Sequence, residues 1–153
     1  MIRTISKNEI TSIINQNFKN DEIIAAIYLF GSQASGKTHS RSDIDIAILF
    51  NKCLPKIEAH YRLETYFTKL SRALEADPDI VDMEHVNLIL LFEILHDGVI
   101  ILENNQDRNR VFQAQKIIEC IDFQVIAKRC AHGMYKNTME RLRGKDYSTV
   151  SKN

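Results

Sequence analysis

Residues 23–30, IIAAIYLF, run directly into Gly31-Ser32-Gln33-Ala34-Ser35-Gly36-Lys37-Thr38-His39-Ser40-Arg41-Ser42, and residues 43–50, DIDIAILF, follow. A continuous apolar run of eight residues has strand length and is expected to be buried on both faces. The polar segment after it holds two of the chain's five glycines and reads as a loop. Side chains alternate along a strand. The second run therefore puts Asp43, Asp45, Ala47 and Leu49 on one face, and Ile44, Ile46, Ile48 and Phe50 on the other.

The surrounding sequence supplies helices and further strands. Ser6-Lys-Asn-Glu9 reads as a capping box, followed by Ile10, Ile13, Ile14 and Phe18 at helical spacing up to Asn20-Asp21. Pro55 suits the first turn of a helix whose apolar face is Leu63, Tyr66, Phe67, Leu70, Ala73 and Leu74. Beyond Asp77-Pro78, residues 79–83 (DIVDM) predict a short strand. Asn87 can cap a helix running to His96, apolar nearly all round and so expected to be buried, with Gly98 at its end. Residues 99–102 (VIIL) predict another strand. From Asp107 to about Leu142 the pattern is helical, with Ala114, Ile118, Ile121 and Val125 recurring and a break expected near Gly133. The order predicts an α/β (α+β) domain: a small mixed sheet of about four strands flanked by helices, with a long C-terminal helix. Residues 1–103 form the core, 104–143 the helical segment and 144–153 a frayed tail.

At 153 residues, 44% apolar and 26% charged, the chain has the composition of one globular domain. No apolar run reaches the ~18 residues of a membrane helix; residues 88–95 come nearest and contain Glu93. Residues 1–7 lack the apolar stretch of a signal peptide, so a cytoplasmic location is expected. Cys53, Cys120 and Cys130 form no C-x-x-C pair and read as reduced thiols, and the five histidines show no zinc-ligand spacing. Formal net charge is zero, yet residues 1–103 hold 10 basic and 15 acidic residues, whereas residues 104–153 hold 10 and 5. The basic C-terminal part is either a face that meets something anionic or a solvated helix balancing an acidic domain.

The chemistry concentrates in residues 31–45. Gly31 permits a sharp turn, and its backbone N–H groups with the Ser32 hydroxyl can donate to a phosphate. Lys37 and Arg41 can add positive charge. Asp43 and Asp45 project side by side, an unfavourable pairing of like charges that a divalent cation relieves. Mg²⁺ is commonly held by one or two carboxylates plus substrate phosphates. The alternative is a hydrophilic loop carrying a surface D-x-D, or an inactive copy of such a site.

Gly-Ser followed after ten residues by D-x-D resembles the signature of the DNA-polymerase-beta-like nucleotidyltransferase superfamily. The length, the closing residues 96–103 (HDGVIILE) and the long final helix resemble its minimal members, the MNT-domain proteins, including the MntA-type antitoxins of HEPN/MNT toxin–antitoxin systems. That resemblance implies that Gly31 and Ser32 hold a nucleoside triphosphate, ATP in the antitoxins, and that Asp43 and Asp45 bind one or two Mg²⁺. It implies a third carboxylate from a later strand. Asp79 is the first choice and Asp82 the alternative; three residues apart, they face opposite sides of a regular strand. Many minimal members read G-S-x-A-R-G, whereas this chain has Ser35 in the Arg position, with Lys37 or Arg41 to compensate. The implied activity is Mg²⁺-dependent transfer of AMP from ATP to a tyrosine of a HEPN ribonuclease toxin, which neutralises it. Neither membrane association nor direct nucleic-acid binding is expected. The alternatives are an antitoxin acting by binding alone with a vestigial site, and a nucleotidyltransferase of a small molecule such as an aminoglycoside. On the final helix, Phe112, Phe123, Met134, Tyr135 and Met139 can supply a docking face, with core packing the stronger reading for Phe112 and Phe123.

Overall fold

The structure, a computed structural model, describes residues 5–34 and 43–145. Helix α1 (Lys7–Phe18) starts at Ser6, whose side chain accepts from the Glu9 N–H. Strand β1 (Ile24–Phe30) leads into a single helical turn, α2 (Gly31–Ala34). Then come β2 (Asp45–Phe50), α3 (Lys56–Leu74), β3 (Asp79–Asp82), α4 (Leu88–Asp97), β4 (Val99–Glu103) and α5 (Gln106–Lys145). The sheet order is β3-β2-β1-β4. β1 is antiparallel to both β2 and β4, and β3 runs parallel to β2. The expected mixed four-strand sheet with a long final helix is what forms.

Alternation along the central strands divides the core in two. Ile27, Leu29, Ile46, Ile48 and Phe50 pack with Ile10, Ile14 and Phe18 of α1 and with Tyr66, Leu70 and Leu74 of α3. Ala26, Tyr28, Phe30, Ala47 and Leu49 pack on the other face with Leu91 and Ile94 of α4 and Phe112 and Cys120 of α5. The sheet is covered on both sides, which is why every β1 side chain is buried and its sequence shows no polar alternation.

Several sequence expectations fail in informative ways. Pro55 is the N-cap of α3, not its first helical residue, and Phe67 is exposed. Helix α4 is not buried all round: Leu91 and Ile94 face the sheet while Ile89 is 69% exposed. Helix α5 runs without a break through Gly133. Its expected core stripe points the other way, because Ala114, Ile118, Ile121 and Val125 are all exposed. The face toward the sheet carries Asn109, Phe112, Gln113 and Cys120 instead. Hydrogen bonds fix that rotation. The Tyr28 hydroxyl donates to Asn109 Oδ1 at 2.6 Å and accepts from Gln113 Nε2 at 2.6 Å, and Asn109 Nδ2 donates to Glu103 Oε1 at 2.7 Å. Rolling α5 to bury its apolar stripe would strand these buried polar groups, at about 1–3 kcal/mol for each left unpaired. Ser35, Lys37, Arg41 and the tail from residue 146 lie outside the described residues, and Tyr135 and Met139 have no described side chains.

Candidate active site

Three backbone elements meet where β1 ends. Phe30, the last residue of β1, pairs with Asp45, the first of β2, and Asp45 pairs with Asp79, the first of β3. The Asp79 N–H donates to the Ile44 carbonyl at 2.9 Å, which ties the start of β3 to the residue between Asp43 and Asp45. Register alone therefore brings the acids at 43, 45 and 79 to one corner of the sheet.

Gly31 makes the corner possible. Its φ of +68° lies in the left-handed region that favours glycine. A Cβ built there would overlap Asp45 Oδ2 and lie 3.0 Å from its Cγ. The Gly31 backbone thus lies against the Asp45 carboxylate with no room for a side chain. Ser32 follows in the single turn of α2, half-buried.

The electrostatics mark Asp45 as the centre of the cluster. Its carboxyl is raised above the ordinary range, first by burial and then by the charges of Asp79, Asp43 and Glu93. Asp43 and Asp79 are exposed at the rim. Asp82 lies at the far end of β3, paired with Ile48 and only 4% exposed. It accepts from the Glu84 N–H at 3.0 Å and meets His85 Nδ1 at 2.6 Å, so it braces the turn after β3 and stands apart from the acids. Between the two candidates for a third acid, the structure places Asp79 beside Asp45.

Glu93, on α4, was missed in the sequence. The available signal was its isolation, a single charge inside an apolar run. Among the described residues, no three His, Cys, Asp or Glu side chains gather closely enough to hold a metal ion by themselves. The arrangement suits a hard cation that two carboxylates share with oxygen ligands from a substrate.

The family described as polymerase beta nucleotidyltransferase matches residues 10–107, a span holding Gly31, Ser32, Asp43, Asp45 and Asp79. The chain belongs to this nucleotidyltransferase family. The nucleotidyltransferase is 32% identical over 106 residues to the protein adenylyltransferase MntA of Shewanella oneidensis, covering 69% of this chain and 71% of that protein. It also resembles a chain of a toxin–antitoxin complex crystallised with AMP-PNP, with a TM-score of 0.56 and 26% identity over 86% of this chain and 97% of that one. A complex of tri-AMPylated Shewanella oneidensis HEPN toxin with MNT antitoxin is similar too, with a TM-score of 0.54 and 27% identity over 86% of this chain and 94% of the other. The nucleotidyltransferase is thus a homologue of MntA, and no described helix is long and apolar enough to cross a membrane.

Proposed function

We propose that this chain is a cytoplasmic antitoxin that transfers AMP from ATP to a tyrosine of a cognate HEPN ribonuclease toxin. The observation that carries the reading is the placement of Gly31, Asp45 and Asp79 at one corner by strand register. The likeness to MntA and to an antitoxin complexed with an AMPylated toxin supports the substrate.

The residues fit Mg²⁺. Burial and then the neighbouring acids raise the Asp45 carboxyl, and its donors are hard oxygens. Asp43 and Asp45 would hold the ion, which when bound would supply positive charge to the triphosphate, and Asp79 beside them would help to hold it or activate the nucleophile. Gly31 and Ser32 would present N–H and hydroxyl donors to the phosphates, with Lys37 and Arg41 adding positive charge. The tyrosine hydroxyl attacks the α-phosphorus, the bond to the β-phosphate oxygen breaks, and pyrophosphate leaves. Asp79, exposed at the rim beside Asp45, would take the hydroxyl proton. The attached AMP adds bulk and negative charge that oppose RNA entry to the toxin. Residues 1–103 carry this chemistry, and residues 104–143 form the helical segment that covers one face of the sheet through Phe112 and Cys120.

The test is to incubate the protein with ATP, Mg²⁺ and the cognate HEPN protein and to weigh the latter by mass spectrometry. A gain in AMP units, absent with Asp43→Asn/Asp45→Asn, is expected. An unchanged mass with a stable complex would replace transfer by binding alone, and transfer to an aminoglycoside without any protein partner would replace the toxin.

A further inference from the structure

Helix α5 packs Phe112 and Cys120 against the sheet and still leaves a row of apolar side chains outside. Its sheet-facing side includes Asn109, Gln113 and half-buried Lys116, whereas Val111, Ala114, Ile118, Ile121 and Val125 lie on the opposite side in water. Val111 is 53% exposed, Ile118 63%, Ile121 49% and Val125 42%. These five positions step by three and four residues alternately, the repeat with which one helix seats against another. At 1.5 Å per residue the ridge is about 21 Å long. Scattered exposed apolar side chains are ordinary, but a continuous ridge opposite a partly polar inward face marks an interaction site.

Charge says what kind of partner fits. Beyond the ridge, residues 127–145 hold six Lys or Arg against the single acid Glu140, and Lys128, Arg129 and Lys136 are exposed. A second copy in parallel would set one basic segment against the other. Five short side chains also fall far below the roughly 20 residues a side of a stable interface. The ridge is therefore the apolar centre of a larger contact, mixed in charge alongside the ridge, where Asp107, Arg110, Glu119 and Asp122 are exposed, and cationic beyond Val125.

We propose that the outward face of α5 docks a helical face of the protein substrate, one with an apolar ridge followed by acidic side chains that meet the basic segment beyond Val125. The identity of that substrate rests on the preceding reading; the ridge does not. The face lies on the far side of α5 from the sheet, so docking leaves the acid corner open to nucleotide.

The experiment pairs two variants with the cognate HEPN protein. Ile118→Glu/Ile121→Glu changes exposed positions and is expected to keep the parent's urea midpoint and ATP affinity while weakening the complex at least 100-fold by calorimetry. Lys128→Glu/Arg129→Glu is expected to weaken it about tenfold and to flatten its salt dependence. Parent-like binding by the ridge variant overturns the proposal. So does a self-associating parent, by sedimentation, that the ridge variant makes monomeric, because the face then belongs to a second copy. A salt-independent complex, indifferent to the charge reversal, overturns the acidic partner. If the parent binds tightly and transfers no AMP, the docking face stands and the enzymatic reading falls.

Discussion

Gly31→Ala tests whether the corner is as tightly built as its geometry indicates. Two costs arise at one atom. A left-handed backbone costs a residue with a Cβ about 1–2 kcal/mol. The new methyl also overlaps the Asp45 carboxylate, and overpacking of this kind costs about 1–3 kcal/mol. The sum is a loss of about 2–5 kcal/mol, read as a fall in the urea midpoint at constant slope. The two parts separate in a double-mutant cycle. In an Asp45→Ala background the obstructing carboxylate is gone, so Gly31→Ala should cost only the backbone share, about 1–2 kcal/mol. Nucleotide affinity, followed by calorimetry with a non-hydrolysable ATP analogue, should fall with the single change because the carboxylate must swing aside. An unchanged midpoint for Gly31→Ala, or an equal cost in both backgrounds, would refute the reasoning.

Asp45→Asn should raise stability near neutral pH while abolishing transfer. The Asp45 carboxyl is raised by burial and by neighbouring acids, so its ionised form opposes folding above its folded-state value, and the opposition fades as pH falls through that value. Urea midpoints at pH 7 and pH 4.5 should therefore differ less for Asp45→Asn than for the parent once other carboxylates are accounted for; an identical difference counts against the acid cluster. Asp79→Asn should cut AMP transfer by at least 100-fold with little change in melting, whereas Asp82→Asn should lower the melting temperature and leave most activity, with mass spectrometry and thermal melts as the two readouts. The reverse pattern would make Asp82 the third acid. Tyr28→Phe should cost about 1–3 kcal/mol in urea titration by leaving Asn109 and Gln113 without their shared partner. A neutral Tyr28→Phe would mean those bonds do not set the rotation of α5.

The sheet and its acid corner were legible because strand periodicity is enforced locally. The alternation of residues 43–50 fixes which side chains share a face, and burial of that sheet on both sides permits only one solution. Asp79 was the first choice from the resemblance, with Asp82 the alternative; its place beside Asp45 comes from the parallel register of β3, a long-range pairing that no spacing within DIVDM specifies. Glu93 was hidden for the same reason, since α4 reaches Asp45 only through tertiary packing. The orientation of α5 was misread because apolar periodicity reports which face avoids water, not what covers it. Three hydrogen bonds to and around Asn109, a residue the pattern treats as noise, outweigh five aliphatic side chains in deciding which face turns inward.

Asp45 pairs on one side with a residue fifteen positions earlier and on the other with one thirty-four positions later. The hairpin half of the site can therefore assemble as soon as β2 has been synthesised. The remaining acid arrives only after α3 has been made and has crossed over to lay β3 on the outer edge. A chain halted before that crossover would lack the carboxylate to which the proposed chemistry assigns the proton. On that reading competence waits for β3 on one edge of the sheet and owes nothing to the pairing of β4 on the other.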